Sequence, residues 1–81
     1  MASLDAVTTE LVGIAAAVAG HCQPCLEYHV AEARKLGAGD DQIQEAVKLA
    51  EAVSRSGDKH MHEFAVQTIQ VTPGRNPGRR E

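Results

Sequence analysis

Apolar residues recur at intervals of three and four along most of the chain, and this spacing predicts a protein built of α-helices. No segment alternates apolar and polar residues in the manner of a half-buried strand. The first helix is predicted over residues 4–19, with Gly20 as its stop. Its apolar stripe consists of Val7, Leu11, Ile14 and Val18.

The second helix is predicted to begin near Cys22 or Gln23. Pro24 then falls in the first helical turn, where its missing N–H is not needed. The glycines at Gly37 and Gly39 are expected to end this helix. Its apolar face comprises Leu26, His29, Val30, Ala33 and Leu36.

Two further helices are predicted. Asp40 or Asp41 is expected to cap the third, the pair Ser56 and Gly57 to break it, and Asp58 to cap a fourth that ends near residue 70. Residues 1–71 are therefore predicted to form one small antiparallel bundle of about four helices, followed by a disordered basic tail at residues 72–81. The two apolar stripes are Ile43, Ala46, Val47, Ala50 and Val53, and then Met61, Phe64, Ala65 and Thr68.

The composition adds a reason for self-association. The chain has 81 residues, no Trp, one Tyr and one Phe, so a single copy can build only a small core. Because small domains with small cores need additional stabilisation, we expect a homo-oligomer.

Charge and targeting signals narrow the functional classes. A net charge of -3 gives no indication of binding to nucleic acid or to membrane surfaces. The apolar run at residues 11–19 has no Lys or Arg before it, which argues against a secretory signal, and it is too short to span a membrane. We therefore expect a cytoplasmic protein.

The two cysteines form the motif C-x-x-C at the predicted start of the second helix. A helix N-terminus favours the thiolate form, and the second thiol lies within reach to form a disulfide. Cys22 and Cys25 thus have the spacing of a dithiol–disulfide switch. The alternative is that both pack as small buried apolar residues.

A histidine and a glutamate are candidates for moving protons beside these thiols. His29 follows Cys25 by one helical turn and could accept a thiol proton. If the first two helices form a hairpin around Gly20, Glu10 and His29 lie at nearly the same height. From the spacing alone, however, Glu10 is more simply interpreted as a solvated residue on the helix surface.

A zinc site is a weaker interpretation of the same stretch. His21, Cys22, Cys25 and His29 are all possible ligands, but their crowding in one segment makes tetrahedral closure awkward. We therefore predict no metal and no other cofactor. His60 and His62 are two residues apart on the predicted fourth helix, so they do not share a face and are expected at the surface.

The pattern Glu10-x11-Cys22-x2-Cys25-x3-His29 resembles the signature of the alkyl hydroperoxidase D-like branch of the carboxymuconolactone decarboxylase superfamily. The resemblance covers roughly residues 5–55 and includes the glycine turn at Gly37. It implies an all-helical fold and obligate oligomers, commonly trimers or hexamers. It also implies that a thiol donor supplies electrons for reduction of alkyl hydroperoxides or of a partner protein's disulfide.

Carried over by position, the resemblance makes Cys22 and Cys25 the redox pair, with His29 and Glu10 as a proton relay that activates a thiol. Members with decarboxylase activity generally lack the C-x-x-C motif, so its presence argues against lactone decarboxylation. Two alternatives stay open at this point: a decarboxylase-like enzyme, and a non-catalytic oligomer that binds zinc or senses redox state.

Overall fold

The computed structural model describes residues 3–71, which form three α-helices and no strand within that range. Helix α1 spans Ala6–Ala19, α2 spans Gln23–Lys35 and α3 spans Asp40–Val71. The all-helical prediction is confirmed. The prediction of about four helices is wrong for this part of the chain, and the predicted tail at residues 72–81 lies outside the described residues.

Helix α3 is continuous where the sequence predicted a break. It runs for 32 residues through Ser56 and Gly57, a length of about 48 Å. A glycine inside a helix costs roughly 1 kcal/mol relative to alanine, and no proline is present to remove a hydrogen bond. That cost is too small to interrupt helical propagation, so Asp58 lies in mid-helix and caps nothing.

The start of α3 also differs from the prediction. The carbonyl of Gly39 accepts a hydrogen bond from the Ile43 N–H at 3.1 Å, and the Gln42 side chain accepts one from the Gly39 N–H at 2.9 Å. Gly39 therefore occupies the capping position, and the prediction of an Asp40 or Asp41 cap is wrong. Both aspartates fall in the first turn, where their negative charge complements the helix dipole.

The core is small and centres on α1, which packs against both other helices. Ile14 of α1 and Ala33 of α2 are fully buried, and Ile43 of α3 is nearly so. Ile14 is the only large side chain in the described residues that loses essentially all contact with solvent. This places the hairpin of α1 and α2 at the best-packed end of the molecule.

The second half of α3 has a different environment. Residues 55–70, here called the α3 arm, are all exposed. Met61 and Phe64, which belong to the apolar stripe of the predicted fourth helix, are 66% and 64% exposed. The arm thus presents an apolar face that no other described part of the chain covers.

Candidate active site

The connection between α1 and α2 fixes where the first cysteine lies. Gly20 caps α1, and the chain then turns through His21, whose φ of 57° lies in the left-handed region. The His21 N–H donates to the Val18 carbonyl at 3.2 Å, and the Cys22 N–H donates to the Ala17 carbonyl at 2.9 Å. These two bonds satisfy the last carbonyls of α1 in a Schellman turn, which brings Cys22 directly to the start of α2.

Cys22 and Cys25 form a disulfide, with their Cα atoms 5.2 Å apart. Cys22 is the N-cap of α2, and its Sγ accepts a hydrogen bond from the Cys25 N–H at 3.2 Å. Cys25 is exposed, whereas Cys22 is half-buried. The two cysteines therefore differ: Cys25 is the more exposed residue, and Cys22 has a backbone donor that favours negative charge on its sulfur after reduction.

Glu10 and His29 meet across the hairpin. The Nδ1 atom of His29 lies 2.6 Å from Oε1 of Glu10, and the side chains are 29% and 18% exposed. With Glu10 ionised, the Nδ1–H donates to the carboxylate, and this hydrogen bond assigns the tautomer. Nε2 then remains as the basic nitrogen of the ring, one helical turn beyond Cys25 on α2.

Two neighbours enclose the imidazole of His29. Tyr28 is 59% exposed and meets the His29 ring edge-on, with ring centroids 5.1 Å apart. On the α1 side the ring lies against Gly13, where an added Cβ atom would come within 2.6 Å of Nδ1. The sequence reasoning missed Gly13. An isolated glycine inside an apolar helix, three residues after Glu10, is the signal that could have identified it.

An open cleft gives access to the disulfide from the side of the α1–α2 turn. Its volume is about 270 Å³, and a second cleft of about 330 Å³ joins Val18 and His21 to the middle of α3. The lining of the first cleft is mostly apolar and includes Cys22. The residues that line the first cleft are Ala17, Val18, His21, Cys22, Gln23 and Leu26.

The arrangement gives no support to the zinc alternative. The two sulfurs bond to each other, and His29 is held by Glu10. Across residues 3–71, no three His, Cys, Asp or Glu side chains converge as metal ligands would. His60 and His62 lie on the exposed α3 arm, distant in sequence from this hairpin. None of the helices in the described range is long and apolar enough to cross a membrane.

A helical hairpin that carries a C-x-x-C disulfide and a carboxylate-bonded histidine defines the class: a helical dithiol protein. The sequence profile of the carboxymuconolactone decarboxylase family matches residues 2–59, and the chain belongs to that family. This confirms the superfamily inferred from the motif.

One curated relative is "Uncharacterized protein 4 in cox locus" from Paracoccus denitrificans, which is 40% identical over 60 residues. The match covers 74% of this chain and 53% of the relative, so the chain spans about half the relative's length. No solved structure matches the chain.

Proposed function

We propose that the protein is a thiol-dependent oxidoreductase in which Cys22 and Cys25 alternate between dithiol and disulfide. The oxidising substrate is an alkyl hydroperoxide or the disulfide of a partner protein, and a thiol donor restores the dithiol. The observation that carries this proposal is the disulfide at the N-terminus of α2, next to the hairpin contact between Glu10 and His29.

Reduction begins at the more exposed sulfur. A donor thiolate attacks Sγ of Cys25, the S–S bond breaks, and Cys22 leaves as a thiolate at the helix N-cap. The Cys25 N–H, now 3.2 Å from that sulfur, stabilises the charge. A second donor thiol then displaces the mixed disulfide, which releases the oxidised donor and leaves both cysteines reduced.

Oxidation runs through the same exposed cysteine. The Cys25 thiolate attacks the hydroperoxide, the O–O bond breaks, an alcohol leaves with one proton, and Cys25 becomes a sulfenic acid. The Cys22 thiol displaces water from that sulfur and restores the disulfide. In sum, one hydroperoxide and two donor thiols give one alcohol, one water and one donor disulfide.

Glu10 and His29 supply the proton steps in this scheme. Nε2 of His29 accepts the thiol proton of Cys25 and returns it to the departing alkoxide. Glu10 holds the proton on Nδ1, so that Nε2 has an available lone pair. The pair is only partly exposed, which limits competition from water for the 2.6 Å hydrogen bond.

The test is turnover of cumene hydroperoxide with dithiothreitol as donor. Cys22→Ser and Cys25→Ser should each abolish turnover, and His29→Ala should lower it by roughly 10²-fold to 10⁴-fold. His62→Ala is the matched control, because His62 is exposed on the side of the α3 arm away from Phe64 and should leave turnover unchanged. Full activity in both serine variants would refute the proposal.

A separate experiment tests which of the two cysteines reacts first. Each single-thiol variant is mixed with an aromatic disulfide, and the rate of mixed-disulfide formation is followed optically. Cys25 in the Cys22→Ser protein should react faster than Cys22 in the Cys25→Ser protein, since Cys25 is the more exposed. If Cys22 reacted faster than Cys25, the first attack would have to be assigned to Cys22.

The remaining alternatives are tested by a lactone decarboxylase assay and by metal analysis. Lactone decarboxylation that survives loss of both thiols would favour the decarboxylase-like enzyme. Stoichiometric zinc in protein purified without added metal, released by thiol alkylation, would favour the non-catalytic module. No contact of the described residues favours either over the dithiol cycle.

We further propose that the protein works as a homo-oligomer and that the α3 arm lies in its interface. The apolar stripe of α3 begins with Leu49 and Val53 before the arm and continues along the arm as Met61 and Phe64, each more than 60% exposed. A core with a single fully buried large side chain gives one copy little stability of its own. A second copy, which carries the same stripe, would bury both surfaces at once.

Light scattering after size exclusion measures this assembly. Phe64→Asp should lower the molar mass at a given concentration, because it introduces a charge into the stripe. Val66→Asp is the matched control: Val66 is two residues away and faces the other side of the helix. A wild-type monomer at micromolar concentrations, or equal effects of the two variants, would refute the arm interface.

A further inference from the structure

We propose that Gly13 is a positioning residue, whose missing side chain leaves the slot in α1 that lets His29 reach Glu10. The geometric part of this inference stands by itself. Its consequence for turnover rests on the function proposed above.

The slot is defined by close approach of the imidazole to the α1 backbone. A Cβ atom built on Gly13 would lie 2.6 Å from Nδ1 of His29 and 2.7 Å from Cγ and Cε1. Ordinary contact begins at 3.4 Å, so the ring would have to retreat by about 0.8 Å, the difference between 3.4 and 2.6 Å. The clash is with the whole ring and not with the end of a flexible side chain.

That retreat would weaken the Glu10 contact. Glu10 and Gly13 are three residues apart on α1, so the carboxylate and the slot lie side by side on one helical face. A ring lifted off α1 by about 0.8 Å would stretch a 2.6 Å hydrogen bond to the limit of useful geometry. The ring of Tyr28 meets that of His29 edge-on, so the imidazole has a neighbour on that side as well.

Helix propensity supports a packing reason for this glycine. Glycine destabilises a helix interior relative to alanine, and α1 carries alanine at most of its other small positions. Gly57 of α3 is the contrasting case, because a Cβ atom added there meets nothing within 4 Å. The two helical glycines of the described chain thus offer a matched pair for the same substitution.

The first test is the imidazole spectrum of His29 by ¹H–¹⁵N correlation. Wild-type protein should show the Nδ1–H tautomer with its proton held by Glu10, and Gly13→Ala should lose that signature. Gly57→Ala is the control and should keep it. An unchanged tautomer in Gly13→Ala would overturn the inference, whether or not the protein reduces peroxides.

The second test separates positioning from general packing. Gly13→Ala should lower peroxide turnover by roughly tenfold to 100-fold in wild type, yet by less than about twofold in a Glu10→Gln background, where the contact is already weakened. Equal losses in both backgrounds would refute positioning. A wild-type protein without turnover would refute the proposed function and leave the tautomer result standing.

A third variant covers the case in which Gly13→Ala does not fold. Replacing His29 by alanine empties the slot, so Gly13→Ala in a His29→Ala background should raise the melting temperature, as it does in an ordinary helix. A lower melting temperature in that background would show that the Cβ clashes with something other than the imidazole, and would overturn the inference.

Discussion

The α1–α2 hairpin and the α3 arm carry the same kind of helical pattern and have opposite environments. In the hairpin, Ile14 and Ala33 lie in the core, and the polar pair Glu10 and His29 is partly enclosed. In the arm, Met61 and Phe64 project into solvent. Amphipathic spacing therefore says which residues share a face, but it does not say whether the same chain covers that face.

The difference separates two tasks. The hairpin holds the disulfide and the histidine with short-range turns and one long-range hydrogen bond, all within one copy. The side chains of the arm are exposed instead, and the first of them, Arg55, lines the cleft beside His21. Under the proposed association its apolar stripe would be buried between copies, so substitutions in the two regions should respond differently to protein concentration.

The largest expected effect tests this contrast at the core. Ile14→Ala removes a fully buried side chain and should lower the free energy of unfolding by about 3 kcal/mol at any protein concentration. Phe64→Ala should cost only a few tenths of a kcal/mol in dilute protein and more as concentration rises. Urea denaturation of both variants at two protein concentrations measures these changes. A loss of several kcal/mol in the free energy of unfolding of Phe64→Ala, independent of protein concentration, would contradict the contrast.

A smaller effect compares the two left-handed turns that flank α2. Gly37 has a φ of 90° and open space around it, so Gly37→Ala should destabilise by about 1 kcal/mol through backbone strain alone. His21 has a φ of 57°, and His21→Gly should change stability little or raise it by about 0.5 kcal/mol. Thermal melts of the two variants measure these changes in stability. If His21→Gly lost as much stability as Gly37→Ala, the His21 side chain would have to stabilise the hairpin.

The smallest effect lies at the start of α1 and depends on pH. The Thr8 backbone N–H donates to the Asp5 carboxylate at 2.7 Å, and this hydrogen bond lowers the pKa of Asp5 below 3.8. Because the carboxyl has a lower pKa in the folded than in the unfolded state, its ionisation stabilises the fold at pH values above the unfolded-state pKa. This stabilisation is lost as pH falls through the folded-state pKa. Asp5→Asn should therefore melt slightly lower than wild type near neutral pH, with the gap closing below about pH 4.

Melting curves over a pH series measure that gap. A difference that widened towards acid pH would reverse the assigned sign. The α3 arm contains no such cap, so variants confined to it should show no matching pH dependence between pH 3 and 4.

Signals that act over a few residues were readable from the sequence. Pro24 after Cys22 predicted the start of α2, Gly37 predicted its end, and the spacing of the cysteines predicted a pair able to form a disulfide. These features depend on backbone geometry and on hydrogen bonds between near neighbours. The motif that joins Glu10 to the cysteines and His29 also indicated the family, which the profile match confirms.

Tertiary structure decided what depends on distant parts of the chain. Helix α3 continues through Gly57, and no other described part of the chain packs on its second half, which leaves Phe64 exposed. From spacing alone, Glu10 was more simply a surface residue, and only the hairpin contact with His29 gives it a partner. Gly13 stood out in the sequence only as an isolated glycine inside an apolar helix, and its role depends on the His29 ring that α2 places against it.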